Sequence, residues 1–199
     1  MDNANALPIS PQRLTAENSV LLLIDVQEKL ISAIPPVKAE ELVPSCAILL
    51  QAASLLDVEV VATEQYPSGL GPTVEPLASQ LQELCDSPPL EKKTFSCGVF
   101  GEKFDALREA GKRQIVLAGI ETHVCVLQTA LDLLAAGWEV QLVIDASASR
   151  READYVTAIC RLEASGAFLT TTETVLFEWC GTAERDEFKE ISSLIRSRN

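Results

Sequence analysis

The chain has 199 residues, of which 47% are apolar and 23% are charged, and these values are typical of a single globular domain. The 29 acidic residues outnumber the 16 basic ones, so the net charge is −13. A surface this negative repels phosphate groups, which argues against nucleic acid or an anionic membrane as a partner. The apolar content is too high for an intrinsically disordered chain.

No stretch of the sequence has the pattern of a membrane span or a targeting signal. The densest apolar stretch, residues 42–56, is shorter than the roughly 20 residues that cross a bilayer, and Pro44 interrupts it. Residues 1–18 lack the basic-then-apolar order of a secretory signal. The six cysteines are therefore expected to be thiols, and we predict a cytoplasmic protein.

Aliphatic runs alternate with helical patterns along the chain. In chain order, the predicted strands are residues 20–24, 58–62, 92–96, 114–118, 140–144 and 167–171. The predicted helices are residues 38–56, 104–110, 124–136, 153–164 and 184–196. About six alternations of this kind are typical of a parallel sheet with helices on both faces. We predict one α/β domain at residues 18–199, preceded by an N-terminal arm at residues 1–17.

Polar residues stand where the predicted strands end. In open parallel sheets, ligands bind at the carboxyl ends of the strands, where the strand order reverses. Residues 65–89 are rich in proline and glycine and are predicted to form a loop over such a site, with one short helix. The strand-end candidates are Asp25, Glu64, Lys92 or Lys93, residues 121–125, and Asp145.

Cys125 is the candidate nucleophile. It follows a predicted strand and a short turn in which Thr122 is a suitable N-cap residue. This placement puts the thiol in the first turn of a helix, where the dipole lowers the pKa of a thiol. The unpaired amides of such a turn can also hold an oxyanion. The alternative is a buried structural cysteine, which is the commoner role of this residue.

Two charged residues could act together with that thiol. Asp25 ends an all-aliphatic strand and is a candidate general base. Lys92 and Lys93 point to opposite faces of their strand, so only one of them can supply a cation to the site. His123 is the only histidine and could contact a substrate. No metal site is predicted, because close-spaced histidine and cysteine ligands are missing from the sequence.

Three segments resemble the motifs of the isochorismatase-like cysteine hydrolases, in consistent order. Residues 22–27, Leu-Leu-Ile-Asp-Val-Gln, resemble the first-strand motif of that family. Residues 92–96, Lys-Lys-Thr-Phe-Ser, match its Lys-x-x-(Phe/Tyr)-Ser motif, and this match selects Lys92 over Lys93. Residues 118–126 resemble its Gly-x-x-Thr-x-x-Cys turn. Residues 63–73 are similar to the branch called isochorismatase domain-containing proteins, and the likeness covers about residues 18–197.

The resemblance implies a fold and a catalytic triad. The fold is a three-layer α/β/α domain with a six-stranded, mostly parallel sheet in the order 3-2-1-4-5-6. The triad is Asp25, Lys92 and Cys125, which hydrolyse a small amide, imide or related C–N bond through a thioester. A cis peptide between Ile120 and Glu121 would turn the amides of Glu121 and Cys125 toward one point as an oxyanion hole.

The resemblance also implies a substrate pocket and an assembly state. The pocket residues carried over from the family are Gln27, Leu30, Tyr66, Phe95 and His123. No cofactor is expected, and the chain is expected to form a homo-oligomer of undetermined size around a small-molecule substrate. Nicotinamidases of this fold carry an Asp/His metal cluster after the second strand. Because this chain has Glu64, Gln65 and Tyr66 there, we do not expect a metal-dependent nicotinamidase.

Two other functions stay open at this point. The chain could be a catalytically idle scaffold that keeps the fold for oligomerisation, although its intact triad argues against that. It could also be a thiol redox sensor in which Cys125 pairs with a resolving cysteine such as Cys97.

Overall fold

The computed structural model describes residue 10 and residues 12–85 and 87–197. Its sheet has the order β3-β2-β1-β4-β5-β6, and all five strand pairs are parallel. The architecture and strand order expected from the resemblance are therefore confirmed. The strands are β1 (Ser19–Ile24), β2 (Glu59–Gln65), β3 (Leu90–Lys92), β4 (Gln114–Ile120), β5 (Glu139–Ala148) and β6 (Phe168–Thr170).

Helices cover both faces of this sheet. They are α1 (Glu28–Ile31), α2 (Pro36–Leu55), α3 (Pro67–Leu70), α4 (Leu77–Leu84), α5 (Gly101–Glu109), α6 (Leu127–Ala135), α7 (Glu152–Ala164), α8 (Thr172–Cys180) and α9 (Phe188–Arg196). A 3₁₀ turn at Cys97–Phe100 precedes α5, and a π-helical turn at Thr122–Val126 precedes α6. Within the described part of the chain, no helix is both long and apolar enough to cross a bilayer.

Two hydrophobic cores lie on opposite faces of the sheet. Leu21 and Leu23 of β1 contribute to the core that α2, α8 and α9 cover. Leu22 and Ile24, which alternate with them, contribute to the core that α5, α6 and α7 cover. Because successive side chains of a strand point to opposite faces, a continuous aliphatic run fills both cores. This is why the run at residues 20–24 predicted a central strand correctly.

The structure differs from the predicted elements at β3 and α8, among other places. The third strand is Leu90–Lys92 rather than residues 92–96, because the chain turns away from the sheet after Lys92. Helix α8 was not predicted, since a single residue separates it from β6 and its first turn is rich in threonine, a weak helix former. The carboxylate of Asp145 accepts hydrogen bonds from the amide and hydroxyl of Thr172 at 2.8 and 3.1 Å, which stabilises the start of α8.

The predicted N-terminal arm lies partly outside the described residues, which omit residues 1–9 and 11. The later arm residues that are described pack on the domain. Leu14 is fully buried, and its amide donates to the Glu178 carboxylate at 2.9 Å. The Arg13 carbonyl accepts a hydrogen bond from Gln114 at 3.0 Å. Residues 13–14 therefore belong structurally to the folded body.

Candidate active site

The carboxyl ends of β1 and β3 bring two buried charges together. Asp25 follows β1 directly, and Lys92 is the last residue of β3, two strands away. The Lys92 Nζ lies 2.6 Å from Asp25 Oδ2, and neither side chain is exposed to solvent. An ion pair without solvent requires further hydrogen bonds to both partners, because each charge has lost its water.

Asp25 has two further partners. Its second oxygen, Oδ1, accepts a hydrogen bond from the hydroxyl of Thr63 at 2.7 Å. Its charge also acts on the thiol of Cys125, which is 5% exposed, and raises the pKa of that thiol. The carboxylate therefore contacts a cation and a hydroxyl and lies near enough to the thiol to change its pKa.

The pKa of the Cys125 thiol is shifted in the direction opposite to the prediction. The pKa is raised to about 12, mainly by burial and also by the charge of Asp25, while the charge of Lys92 opposes both. The dipole effect that we expected to lower it is outweighed by the loss of solvent. At neutral pH the thiol is therefore protonated and beside a carboxylate that can take its proton.

The turn that carries Cys125 also differs from the predicted helix start. It is π-helical, and its N-cap residue is Glu121 rather than Thr122. The turn has no side-chain cap. The Glu121 carbonyl accepts hydrogen bonds from the amides of Val124 and Val126 at 3.0 and 3.3 Å. The peptide bond between Ile120 and Glu121 is cis.

The side chain of Glu121 ties this turn to the end of β5. Its Oε1 accepts hydrogen bonds from the backbone amide of Arg150 at 3.1 Å and from its Nε at 2.9 Å. Glu121 is 7% exposed, so this ion pair is shielded on the carboxylate side. The resemblance concerned the amide of Glu121 and did not indicate this role of its side chain.

A close backbone approach places β1 and β4 next to each other at the site. Gly119 has a φ of +119°, and a Cβ there would lie 2.1 Å from the carbonyl oxygen of Ile24. Only glycine fits such a position, because any side chain would collide with backbone. Asp25, the residue that follows β1, has a φ of +51°. The close contact brings the end of β1 near the turn that holds Cys125.

Sequence reasoning missed two residues of this cluster. Thr63 binds Asp25, and Gln65 accepts a hydrogen bond from Lys92 Nζ at 2.8 Å. Both belong to β2, which runs three residues further than the predicted strand at residues 58–62. The available signal was their spacing of two, which places both side chains on one face of an extended strand.

One predicted substrate residue serves the protein itself. The Nε2 of Gln27 donates to the carbonyls of Gln65 and Gly71 at 3.1 and 2.6 Å. Its Oε1 accepts from the amide of Gln65 at 2.7 Å. Both N–H groups of Gln27 are thus used within the chain, and its contact with substrate stays a prediction.

The other predicted pocket residues differ in exposure. Leu30 is partly buried against the core that α2 covers. Tyr66 and Phe95, which follow β2 and β3, are 50% and 52% exposed. The Nδ1 of His123 lies 3.0 Å from the Ser149 hydroxyl.

A cavity of about 360 Å³ lies beside Lys92. Its wall is formed by the ends of β2 and β3 and by the segment that follows each, namely Tyr66, Pro67, Ser68, Glu91, Lys92 and Lys93. A cavity of similar size, about 380 Å³, lies at the amino end of β2 and is therefore on the opposite edge of the sheet. The cavity beside Lys92 is the better candidate for a ligand site, since ligands bind at the carboxyl ends of parallel strands.

The remaining strand-end candidates have other partners. Lys93 is exposed, in contrast to Lys92. The carboxylate of Glu64 accepts hydrogen bonds from the amide and the hydroxyl of Thr73, both at 2.7 Å, and holds the loop before α4. Asp145 stabilises the start of α8. Among the residues described, no three His, Cys, Asp or Glu side chains are grouped so that they could hold a metal ion.

Comparisons with known proteins agree with this architecture. The family model of the isochorismatase domain matches residues 19–174 of this chain. The isochorismatase domain-containing protein 2 of Bos taurus is 41% identical over 185 residues, which are 92% of this chain and 86% of that protein.

Two solved structures are similar over most of the chain. The MAR1 ribonuclease from Caenorhabditis elegans has a TM-score of 0.83 and 37% identity, with 92% of each chain covered. The YcaC gene product from Escherichia coli, described as an octameric hydrolase of unknown specificity, has a TM-score of 0.79 and 25% identity. That match covers 96% of this chain and 98% of YcaC.

Proposed function

The chain belongs to the isochorismatase family, and on that premise we propose that it is a cysteine-dependent hydrolase of a small amide, imide or related C–N bond. The observation that carries the proposal is that one carboxylate, that of Asp25, interacts with both Lys92 and Cys125. Asp25 pairs with the Lys92 ammonium at 2.6 Å, and its charge acts on the nearby thiol of Cys125, whose pKa it raises. A thiol that is protonated at neutral pH requires such a base to become a nucleophile.

In the first step, Asp25 takes the thiol proton while the Cys125 sulfur attacks the substrate carbonyl carbon. The carbonyl π electrons move to the oxygen, and a tetrahedral intermediate forms. We assign the amides of Glu121 and Cys125 as donors to that oxyanion. Donors that are already oriented toward the developing charge are effective because they need no reorganisation during the reaction.

In the second step, the intermediate collapses and the C–N bond breaks. The leaving nitrogen takes the proton that Asp25 received, so ammonia or an amine departs and a thioester remains on Cys125. Asp25 then takes a proton from water as the water oxygen attacks the thioester. The C–S bond breaks, the acid product leaves, and the sulfur recovers the proton from Asp25.

Lys92 supplies a counter-charge to Asp25 in a site without solvent. The ammonium at 2.6 Å compensates the carboxylate for the water that it has lost on burial. The hydroxyl of Thr63, which donates to the other oxygen, acts in the same direction. Asp25 is therefore held as a base that can shuttle one proton through both steps.

The exposure of the site residues favours a small substrate. Cys125 is 5% exposed, so a bulky polymer cannot bring a carbonyl group to its sulfur without rearrangement. We assign Tyr66 and Phe95 to the entrance, because both aromatic side chains are half exposed beside the buried pair. Leu30 and His123 complete the proposed pocket.

Two alternatives are less well supported. A redox sensor needs a thiolate that reacts with peroxide, whereas burial raises the pKa of both Cys97 and Cys125. An idle scaffold would not need to keep a buried ion pair beside a thiol. The C. elegans neighbour is named a ribonuclease, but a net charge of −13 disfavours binding of RNA to this chain.

The proposal includes an assembly and a location. We propose a homo-oligomer, because YcaC is described as octameric. Exposed apolar side chains such as Phe95 and Val99 offer contact area for a second copy. We also propose the cytoplasm, since a reducing compartment keeps Cys125 as a thiol.

The test measures ammonia release from a panel of small amides and imides by the wild type, by Cys125→Ala and by Cys160→Ala. Cys160 is exposed on α7 and serves as the matched control. We expect release by the wild type and the control and a loss of about 10⁴-fold or more with Cys125→Ala. Equal rates for the wild type and Cys125→Ala, or cleavage of added RNA without amide hydrolysis, would contradict the proposal.

A further inference from the structure

We propose that Gln65 is a positioning residue that holds the Lys92 ammonium against Asp25, and that Gln27 in turn holds Gln65. This inference rests on the proposed function, because it assigns a role beside the same base. It concerns two amide side chains that touch neither the sulfur nor the reacting atoms.

The orientation of the Gln65 amide is fixed from both ends. Its Oε1 accepts a hydrogen bond from Lys92 Nζ at 2.8 Å, next to the 2.6 Å contact between Nζ and Asp25 Oδ2. Its Nε2 donates to the carbonyl of Lys93 at 2.9 Å. A flipped amide would lose both contacts, so the oxygen must face Lys92.

A neutral acceptor suits this position better than a charged one. The Lys92 ammonium has three N–H donors and no exposure to solvent, so a single carboxylate does not satisfy it. The amide oxygen of Gln65 accepts one of these donors without competing for the positive charge. Asp25 therefore remains the only carboxylate that Lys92 contacts among the described residues, and its negative charge faces the thiol.

Gln27 anchors Gln65 to the strand that carries the base. Its side chain accepts from the Gln65 amide at 2.7 Å and donates to the Gln65 carbonyl at 3.1 Å, as the backbone of a neighbouring strand would. Gln27 lies two residues after Asp25. The contacts form a closed ring from Asp25 to Lys92, Gln65 and Gln27 and back along the backbone to Asp25. This ring fixes the ends of β1, β2 and β3 relative to one another.

The test follows alkylation of Cys125 by iodoacetamide between pH 5 and 10, with peptide mass spectrometry on the full chain. This probe needs no substrate. Because the pKa of the Cys125 thiol is raised to about 12, the thiol stays protonated over this range and its alkylation depends on a neighbouring base. We expect the wild type to react faster than Asp25→Asn throughout this range.

Two variants of Gln65 test this contact. Gln65→Glu is almost isosteric and places a second carboxylate on Lys92, which competes with Asp25 for the ammonium. We expect it to lower the alkylation rate by about tenfold. Gln65→Met removes the acceptor and lets the ion pair shift, which should lower the alkylation rate by about tenfold to a hundredfold. Gln128→Met, at an exposed position of α6, should match the wild type.

The outcomes separate this inference from the proposed function. If Asp25→Asn changes the profile but both Gln65 variants follow the wild type, the role of Gln65 is wrong and the function stands. If Asp25→Asn also leaves the profile unchanged, the proposed function itself fails. A Gln65 that only contacts substrate would raise KM and leave the iodoacetamide profile in place. Should Gln65→Met fail to fold by circular dichroism, Gln65→Glu alone decides.

Discussion

Two aspartates end nearly identical sequence segments of this protein and have different environments. Asp25 ends Leu-Leu-Ile-Asp after β1, and Asp145 ends Leu-Val-Ile-Asp in β5. Asp25 is fully buried, and its carboxylate contacts Lys92 at 2.6 Å. Asp145 is half-buried, and its carboxylate binds the amide of Thr172 at the start of α8.

The difference follows from the neighbours of each strand. β1 lies between β2 and β4, where the strand order reverses and several strand ends face a common space. β5 bulges at the corresponding place, since β4 advances two residues, from Leu117 to Gly119, while β5 advances five, from Leu142 to Ser147. The bulge turns Asp145 toward a helix instead of the site. An aspartate at a strand end thus becomes a base or a cap according to what lies beside it.

The largest expected effect comes from Asp25→Asn. This variant removes the proposed base with almost no change of shape, so amide hydrolysis should fall by about 10⁴-fold. It also leaves the Lys92 ammonium buried without a counter-charge, which should lower the free energy of unfolding by about 3–5 kcal/mol. Steady-state kinetics and urea denaturation measure the two effects.

A double variant separates catalysis from stability. In Asp25→Asn/Lys92→Met neither charge of the buried pair remains, so most of the lost stability should return while hydrolysis stays absent. Recovery of hydrolysis in this variant would contradict the proposed role of the pair. Asp25 and Asp145 would then no longer differ in their proposed function.

The next largest effect is expected for Gly119→Ala. A Cβ there meets the Ile24 carbonyl oxygen at 2.1 Å, so β1 and β4 must separate, at a cost of about 3 kcal/mol or more. The control is Gly111→Ala, because Gly111 also has a positive φ, +93°, but a Cβ there would meet no neighbouring atom within 4 Å. It should cost about 1–2 kcal/mol, for backbone strain alone. Equal losses for the two variants in thermal or urea unfolding would show that the close approach is unimportant.

A smaller effect concerns alkaline pH. Burial raises the pKa of Cys125 from 9.0 to about 12, so the folded protein keeps a proton that the unfolded chain loses above pH 9. The stabilisation is fully present below pH 9 and is lost as the pH rises toward 12, by about 1.4 kcal/mol per pH unit. Urea unfolding between pH 8 and 10.5 should show a steeper fall for the wild type than for Cys125→Ser. Parallel curves would contradict the raised value.

The smallest effect is expected for Asp145→Ala. It removes the carboxylate at the start of α8 and should lower the free energy of unfolding by about 1 kcal/mol, without a change in hydrolysis. Asp145→Asn keeps an oxygen acceptor and should cost less. A loss of hydrolysis in Asp145→Ala as large as that in Asp25→Asn would remove the distinction between the two carboxylates.

The fold was predictable where the residues have one dominant preference. The runs at residues 20–24 and 114–118 are aliphatic on both faces and predict central strands, which the structure confirms. The β3 strand was displaced because it has three residues, two of them charged. The β5 strand was predicted to stop at residue 144 but extends to Ala148, because a bulge breaks the aliphatic pattern without ending the strand.

The sequence indicated the motif residues of the candidate site but not the residues that support them. Spacing and resemblance selected Asp25, Lys92 and Cys125; the structure pairs Asp25 with Lys92, and the catalytic role of all three stays a prediction. Thr63 and Gln65 were missed, since their partners lie on neighbouring strands and no spacing along the chain encodes those contacts. The direction of the Cys125 pKa was wrong, because burial exceeds the effect of the turn.

The amino-acid sequence by itself determined the strand and helix pattern, the acidic net charge and the identity of the charged and sulfur-containing residues at the strand ends. These properties depend on local preference and composition, which are written along the chain. Only the tertiary structure decided which of the two similar aspartates meets a lysine and a thiol, and that the thiol is protonated there. The physical reason is that hydrogen-bond partners, solvent exclusion and the close approach of strands are set by packing between segments far apart in sequence.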